Sequence, residues 1–331
     1  MHAAYISRPG PAHDIRYGTL PAPVPGPGEV LVQVRASAVN HVDTFVRSGA
    51  WTTELAFPFV IGRDLAGTVV EAPPGSGFAP GDRVWGNSQG HAGRPGAAAQ
   101  FAAVAADRLY RLPEGVDPVE AVAVAHPAAT AHLALFAHGA LRPGETVLVR
   151  GAAGNVGSAL TVMAAAAGAR VVAVCGAADA DRCRALGADA VADYRSPDLE
   201  QHLRALAPDG VDLAVDTSAR NDLEADVALL ARRGRIVVLS GLRTRPVLPV
   251  GPLYLIDGSV RGFAISHATV DELRAAADRI NELLARGLLR PPAVTELPLA
   301  RAADAHALLE GGGARGKLVL LPPGPDAADR T

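Results

Sequence analysis

A glycine-rich stretch, residues 151–157 (Gly-Ala-Ala-Gly-Asn-Val-Gly), constrains the fold of this chain more than any other segment. It follows an apolar run, residues 146–149, that is typical of a buried parallel strand. It precedes a helix-forming run, residues 158–167, that ends at Gly168. A strand, a glycine turn and a helix in this order present backbone N–H groups and the positive end of a helix dipole to a phosphate. The stretch therefore predicts a dinucleotide-binding site, and the alternative is an ordinary strand-to-helix turn.

Length and composition limit the class of protein. The 331 residues suffice for two domains, and 49 % of them are apolar, which is enough to fill two cores. A net charge of −3 gives no indication of a nucleic-acid or membrane-surface partner. Two cysteines, Cys175 and Cys183, build neither a disulfide framework nor a four-cysteine zinc site.

The sequence shows neither a signal segment nor a long uncharged apolar run of about 18 residues. Its most apolar stretch is interrupted by His126 and Pro127. We therefore expect a cytoplasmic protein that does not cross a membrane.

The pattern of the chain changes near residue 118. Before that point, short strands alternate with segments rich in proline and glycine, which is typical of a β-rich domain. After it, strands and helices alternate, and six strands at this spacing predict a doubly wound parallel sheet. The predicted strands cover residues 147–149, 171–175, 190–193, 213–216, 236–239 and 260–264, with helices at 158–167, 179–186, 197–206 and 221–232.

The carboxyl-terminal part returns to the pattern of the first part. It has predicted helices at residues 270–286 and 300–310 and a strand at 317–321. We therefore predict an α/β protein in which a Rossmann domain, residues 119–266, is inserted into a β-rich domain built from residues 1–118 and 267–331.

Several segments resemble, in order, the zinc-free quinone oxidoreductase branch of the medium-chain dehydrogenases/reductases. Residues 40–49 resemble its Asn-Pro-x-Asp-x-Tyr-x-Arg-x-Gly segment, and residues 62–69 resemble its Gly-x-Asp-x-Ala-Gly-x-Val segment. Further matches fall at Gly81–Val84, Gly234-Arg235 to Gly241, Arg261-Gly262 and Gly316-Lys317. The resemblance implies a GroES-like catalytic domain, a Rossmann domain, NADPH, and commonly a homodimer. It also implies hydride transfer to a hydrophobic small molecule, either a quinone or an α,β-unsaturated carbonyl compound.

Two positions argue against zinc. The zinc-dependent relatives hold the metal with a cysteine in the first segment and a Gly-His-Glu in the second, where this chain has Asn40 and Arg63-Asp64. An amide replaces the thiolate, and a permanent cation replaces the imidazole. We therefore predict an enzyme without zinc. Reduction of an acceptor that delocalises charge through its own carbonyl is then favoured over alcohol oxidation.

Three residues are candidates for catalysis: Asn40, Asp64 and His132. The Asn40 amide can bond a substrate carbonyl or the nicotinamide ribose, and the alternative is a turn-capping asparagine. Asp64 is either catalytic or structural. His132 stands where the branch commonly has a tyrosine, and the two tyrosines of the first segment are replaced by Phe45 and Trp51.

A phenolic proton donor is therefore not expected. A histidine titrates near neutral pH, so His132, His126 or His41 is a candidate general acid. The alternative is a proton from water.

The dinucleotide selectivity depends on the second strand of the Rossmann domain. That strand ends at Cys175-Gly176 without the carboxylate that NAD-selective sites use. A 2′-phosphate meets no like charge there, and Arg182 or Arg184 is placed to reach it, so we favour NADPH over NADH. Asp179 and Asp181, in the same segment, argue the other way.

The remaining cofactor contacts are expected from the glycine turn, the strand ends and the resemblance. They are Thr130, Gly151, Gly154, Asn155, Val156, Gly157, Gly176, Tyr194, Ser240, Gly241, Phe263, Ile265 and Lys317. Lys317 is the only lysine, and we consider it for a phosphate contact or for a structural pair.

Two other functions stay open. The first is reduction of an enoyl thioester, although no arginine cluster suggests a basic entrance for a nucleotide-bearing substrate. The second is cofactor binding with little turnover, because the tyrosines are missing.

Overall fold

The structure, a computed structural model, describes residues 1–324 and divides into two compact units. The first unit is Met1–His126 with the chain from Leu273, and the second is Pro127–Glu272. The strands are β1 His2–Ile6, β2 Arg16–Thr19, β3 Glu29–Val39, β4 Phe59–Val60, β5 Leu65–Glu71, β6 Arg83–Gly86, β7 Phe101–Ala105, β8 Tyr110–Arg111, β9 Thr146–Arg150, β10 Arg170–Cys175, β11 Ala190–Asp193, β12 Val211–Asp216, β13 Leu230–Val238, β14 Ser259–Gly262, β15 Val294–Pro298 and β16 Lys317–Leu321.

The α-helices carry their own numbering in chain order. They are α1 His41–Ser48, α2 Pro118–His132, α3 Asn155–Ala166, α4 Ala180–Ala185, α5 Leu199–Leu206, α6 Leu223–Leu229, α7 Val250–Leu255, α8 Val270–Ala285 and α9 Ala302–Glu310.

The first unit is built on β3, its longest strand. Valines at alternate positions of β3 (Val30, Val32 and Val34) are buried in the core, as the period of two in a strand requires. β3 pairs antiparallel with β5, β7 and β16 in a sheet whose order is β15-β16-β3-β5-β6-β8. A smaller antiparallel sheet has the order β2-β1-β4.

The pairing of β16 with β3 determines what lies beside the start of α1. Leu318 is opposite Val39 in this register. Lys317 and Asn40, each the next residue outward, are therefore neighbours across the two strands. The last strand of the described chain thus closes the polar region at the end of β3.

Helix α1 begins directly after Asn40, whose backbone N–H donates to Asp43 Oδ2 at 2.7 Å. An acidic side chain in the first turn of a helix is stabilised by the backbone N–H groups there. The helix ends at Gly49, where φ is +79°. A glycine adopts this left-handed conformation without steric cost.

The second unit contains a six-stranded parallel sheet. Its order is β11-β10-β9-β12-β13-β14, so the chain runs outward in one direction from β9 and then outward in the other from β12. Continuous apolar runs such as 147–149 form these strands because both faces of the sheet are covered. The predicted fold, a GroES-like domain with a Rossmann domain, is confirmed.

Two details differ from the sequence-based prediction. The predicted helix 221–232 ends at Leu229, since residues 230–232 already belong to β13. Pro127 does not interrupt the apolar stretch, because α2 continues through it to His132 and a π-helical turn follows at Leu133–His138. The stretch Pro118–His138 is long and apolar enough to cross a membrane. However, 78 % of its most apolar 18 residues are buried inside the fold, as in a core helix.

Candidate dinucleotide and acceptor sites

The glycine turn after β9 has the geometry of an anion cradle. Gly151 adopts φ of +75°, its N–H donates to Val174 O on the neighbouring strand at 3.0 Å, and its carbonyl accepts from Gly154 N–H at 3.0 Å. Gly154 is the exposed N-cap of α3. The N–H groups of Asn155, Val156 and Gly157 are in the first turn of α3, where the helix itself offers no acceptor.

Gly157 is required by the packing of α3 against this turn. A Cβ at this position would lie 2.1 Å from Gly151 O and 2.7 Å from Ala152 Cα, so the helix would have to move. At Gly154 the nearest atom, Gly151 O, is 3.3 Å from a built Cβ, and its φ is −75°. Glycine is therefore needed at the two positions for different reasons. At Gly157 a side chain would collide with the turn, whereas at Gly154 the absence of a side chain keeps the backbone accessible.

Arg182 reaches the glycine turn from α4. Its guanidinium donates to Ala153 O at 2.5 Å and to Ser158 Oγ at 3.0 Å, and it pairs with Asp179 at 3.3 Å. These contacts fasten α4 to the turn. The side chain that we predicted for a 2′-phosphate is thus already bonded to protein groups.

The end of β10 is flanked by the residues that follow β11. Tyr194 N–H donates to Cys175 O at 3.1 Å, and its ring lies 3.4 Å from a Cβ built on Gly176. Tyr194 is 43 % exposed, and the Arg195 guanidinium lies 5.2 Å from the centre of its ring. An exposed aromatic face with a cation over it therefore lies at the end of the second Rossmann strand.

The ends of β12 and β13 are joined by a network that the sequence did not indicate. Asp216 accepts from the N–H groups of Ser218 at 2.6 Å and Asn221 at 2.7 Å. The Asn221 amide donates to Ser240 O at 2.9 Å, and the Ser240 hydroxyl donates to Asp216 O at 3.2 Å. The sequence contains only a weak signal for this network. Asn221 follows Asp216, the last residue of β12, and asparagine is one of the residues that tolerate a left-handed backbone, here with φ of +52°.

Gly241 belongs to this network because its φ is +84° and a Cβ there would lie 2.4 Å from the Asn221 amide nitrogen. Ser240 and Gly241 are thereby fixed at the carboxyl edge of the sheet, where open parallel sheets bind their ligands.

The other predicted residues of the second unit lie in or after its helices and strands. Thr130 is buried in α2, and the half-buried His132 ring is 4.9 Å from Phe136. Phe263 follows β14 and stacks on His138 at 4.4 Å. Ile265 begins a short 3-10 turn, Ile265–His267, and is half-buried.

The first unit contains a buried charge cluster around Asn40. Each of its members is at most 9 % exposed. The cluster consists of Asn40, Asp43, Arg63, Asp64, His126 and Lys317. The Asn40 amide Nδ2 donates to Asp64 Oδ2 at 2.8 Å, and the Lys317 ammonium donates to Asn40 Oδ1. His126 Nδ1 is 3.6 Å from Asp64 Oδ1.

Three of the predicted site residues, Asn40, Asp64 and Lys317, therefore come together in one network. Of the two roles considered for Lys317, a phosphate ligand and a structural pair, the contacts match the pair. The network also contains Arg63 and Asp43, which the sequence identified only as positions of a motif.

Burial dominates the protonation of the charge cluster. Burial, the larger cause, and the neighbouring Asp64 carboxylate together raise the pKa of Asp43 to about 7, while Arg63 opposes the shift. Burial also lowers the pKa values of Arg63 and Lys317, against the attraction of both carboxylates. The pKa of His126 is lowered by burial, although Asp64 favours its charged form.

The parallel sheet, its strand order and the glycine turn after its first strand define a dinucleotide-binding protein of the Rossmann type. Comparison with known proteins identifies the family within this class. Residues 26–114 match the alcohol dehydrogenase GroES-like domain, and residues 186–320 match a family described as zinc-binding dehydrogenase. The quinone oxidoreductase of Mus musculus is 33 % identical over 307 residues, which cover 90 % of this chain and 91 % of that protein.

Two solved structures extend the comparison. The Escherichia coli quinone oxidoreductase complexed with NADPH aligns with a TM-score of 0.84 at 25 % identity, over 97 % of this chain and 100 % of that one. An NAD-dependent alcohol dehydrogenase aligns with a TM-score of 0.86 at 32 % identity, over 97 % and 99 %. This chain belongs to the quinone oxidoreductase family of the medium-chain dehydrogenases/reductases, which confirms the family predicted from its motifs. It is an oxidoreductase of that type.

The two glycines of the turn give separable predictions. We expect Gly157→Ala to lower both the thermal midpoint and the affinity for a dinucleotide, because α3 must move away from the turn. At Gly154 the added Cβ meets only Gly151 O, at 3.3 Å, so Gly154→Ala should lower the thermal midpoint less than Gly157→Ala does. It should weaken dinucleotide binding about tenfold, or about 1.4 kcal/mol. Calorimetric titration and thermal unfolding measure both effects. Unaltered affinity for both NADPH and NADH in Gly154→Ala would show that the exposed turn does not line a phosphate.

Asp43 gives a pH-dependent prediction. Its folded-state pKa of about 7 lies above its ordinary value of 3.8, so the folded protein binds the extra proton between these pH values. The free energy of unfolding therefore falls as pH rises through this window. Asp43→Asn removes the titration and keeps an acceptor for Asn40 N–H. Urea midpoints should shift in favour of the variant as pH rises from about 4 to about 7, whereas parallel curves would exclude the raised pKa.

Proposed function

We propose that the protein transfers a hydride from NADPH to a quinone or an α,β-unsaturated carbonyl compound, without zinc. The observation that carries this proposal is the bonding of Asn40, which lies between an ammonium and a carboxylate where zinc-dependent relatives have a thiolate ligand. The relatives named as quinone oxidoreductases support the acceptor class.

The residues do not fit a zinc ion, although one matching family is described as zinc-binding. Zinc is held by thiolate, imidazole and carboxylate ligands. Around Asn40 the amide oxygen is bonded to Lys317, and the zinc-type groups of the cluster are Asp43, Asp64 and His126. Both carboxylates already accept hydrogen bonds from Asn40. The Arg63 and Lys317 cations offset the two carboxylates, so no net negative charge attracts a divalent ion, and we derive no step through a metal.

A conjugated acceptor suits such a site. When hydride adds to a quinone or an enone, the acceptor's own π system carries the developing charge to its oxygen, and less help is needed than for a simple alcohol–ketone pair. The bound dinucleotide supplies the hydride, while the protein binds and orients both reactants.

The residues of the second unit fit a dinucleotide phosphate. The first turn of α3 offers backbone N–H groups over an exposed glycine, and β10 ends without a carboxylate. The NADPH complex of the E. coli structure supports NADPH, whereas the neighbour described as NAD-dependent is the reason to test both dinucleotides.

His132 is the general acid that we propose. It is half-buried and so can exchange its proton with solvent. His126 is buried, and its lowered pKa favours the neutral form near pH 7. We expect His132→Ala to lower kcat tenfold or more and to leave the Kd for NADPH unchanged. An unchanged kcat in stopped-flow and steady-state assays would assign the proton to water.

The central experiment measures NADPH oxidation with 1,4-benzoquinone, with a cyclic enone and with an enoyl thioester. Turnover of the first two, retained after chelation and in protein whose metal content is well below one zinc per chain, supports the proposal. Preference for the thioester would favour the enoyl-thioester alternative. Cofactor binding without turnover of any acceptor would favour a cofactor-binding protein, and activity that depends on zinc would overturn the metal-free proposal.

We propose that Arg195, and not Arg182, contacts the 2′-phosphate of NADPH. Arg182 is bonded to the glycine turn, whereas Arg195 is exposed over the Tyr194 ring, and within residues 1–324 it has no salt bridge. Arg195→Ala should weaken NADPH binding about 10- to 100-fold, since a charge-assisted contact contributes about 1.5–3 kcal/mol. NADH binding should be unchanged.

The matched control is Arg184→Ala, an exposed arginine of α4 that pairs with Asp181 at 2.8 Å. Calorimetric titration of both dinucleotides gives the affinity ratio. If that ratio is the same in wild type and Arg195→Ala, the 2′-phosphate is bound elsewhere.

We propose that the protein is a homodimer. β14 ends the strand order of the parallel sheet, and the neighbouring α7 exposes Val250, Tyr254 and Leu255. An unpaired edge beside an apolar helix face is a surface that a second copy would cover. Sedimentation should give a dimer that Leu255→Glu weakens; a wild-type monomer at micromolar concentration would exclude it.

A further inference from the structure

We propose that Lys317 is a positioning residue, which holds the Asn40 amide so that one of its N–H groups is directed to the oxygen of the acceptor. This inference rests on the proposed function of the site. It assigns to Lys317 an indirect role in the reaction, through Asn40, and no contact with the substrate itself.

The contacts of the Asn40 amide permit one orientation. Its Oδ1 accepts from the Lys317 ammonium, and its Nδ2 donates to Asp64 Oδ2 at 2.8 Å. Rotating the amide by half a turn would set its oxygen against the carboxylate and its NH₂ group against the ammonium, so both contacts would become repulsive. The amide oxygen is thereby occupied, while a primary amide has two N–H donors and Asp64 accepts one of them.

The strand pairing explains why this lysine is held so firmly. Lys317 starts β16 and is next to the pair formed by Leu318 and Val39, so its backbone is fixed beside the end of β3. Its side chain is buried, which is rare for lysine unless the charge is paired. A lysine with this support keeps its position in the absence of any ligand.

The charges around the amide balance. Above the Asp43 pKa of about 7, the carboxylates of Asp43 and Asp64 balance the cations Arg63 and Lys317, all buried in the same cluster. Removal of the Lys317 charge would leave an excess of negative charge beside Asn40. That excess would oppose negative charge on an acceptor oxygen, in addition to releasing the amide from its fixed orientation.

The chemistry of the proposed reaction uses a donor at this place. One hydride, carrying two electrons, adds to the acceptor, and the displaced π electrons collect on the acceptor oxygen. One proton from the general acid or from water then completes the reduced product. A fixed N–H directed to that oxygen stabilises the charge as it forms, without reorganisation during the reaction.

The test uses a main variant in which the lost Lys317 charge is balanced by the loss of the Asp43 charge. Lys317→Met alone leaves a buried charge imbalance and can unfold the domain, so the main variant is Lys317→Met/Asp43→Asn, with Asp43→Asn as its reference. We expect kcat with 1,4-benzoquinone to fall about 10- to 100-fold relative to that reference, as for a misplaced reacting group. The Kd for NADPH should not change. Arg47→Met controls for the loss of a buried cation: Arg47 donates to Gly10 O and pairs with Glu310, so this variant should lower the thermal midpoint and leave kcat unchanged.

Coupling to Asn40 separates positioning from a general structural effect. In an Asn40→Leu background, the Lys317→Met/Asp43→Asn change should lower kcat no further, because the amide it positions is gone. Additive losses in a double-mutant cycle would overturn the proposal, and so would an unchanged kcat in the folded, charge-balanced variant.

A readout without turnover uses p-nitrophenol as the probe. If the directed N–H stabilises an oxyanion, the bound phenol should ionise at lower pH than the free phenol, seen by phenolate absorbance, and the charge-balanced variant should lose this shift. No shift in wild type, or the same shift in the variant, would overturn the inference. Failure of every acceptor with NADPH would instead reject the proposed function, while the phenol titration would still decide the role of Lys317.

Discussion

The bond between the Lys317 ammonium and the Asn40 amide connects the strand pairing of the first unit to its buried charge cluster. It joins the last described strand to the end of β3 and places a positive charge among two buried carboxylates. A buried carboxylate without a compensating cation would be expensive to desolvate. The Lys317–Asn40 bond therefore links three features: the pairing of β16 with β3, the start of α1, and the buried charge cluster around Asn40.

The second unit reaches its binding geometry by different means. Its candidate phosphate site is made of backbone, and its shape depends on the absence of side chains at Gly151 and Gly157. Side chains mainly fix the surrounding elements: Arg182 bonds α4 to the turn, and Asn221 bonds Ser240, just beyond the end of β13. The second unit thus combines a rigid sheet edge with an exposed glycine, Gly154, at the start of α3.

Much of the fold was predictable because its signals are local. Apolar runs separated by helical segments gave the six strands of the parallel sheet, and strand, glycine turn and helix gave its phosphate site. The end of α6 was misplaced because residues 230–232 read equally well as helix, and only pairing with β12 makes them strand. The bonding of Lys317 to Asn40 lay outside local reasoning, since 277 residues separate the two partners. For the same reason Arg182 was assigned from its position in the chain, whereas its contacts with Ala153 and Ser158 depend on how α4 packs.

The buried charge cluster also bears on the range of reactions that the proposed enzyme can support. A metal ion stabilises an oxyanion by a large net positive charge, whereas this cluster balances its cations with Asp43 and Asp64. The cluster then stabilises a developing negative charge through the oriented dipole of the amide N–H, and not through a net positive charge. A dipole fixed in place is enough for acceptors that already spread the charge over a conjugated system. Simple ketones and alcohols concentrate that charge on one oxygen, so a site of this kind favours quinones and enones over them.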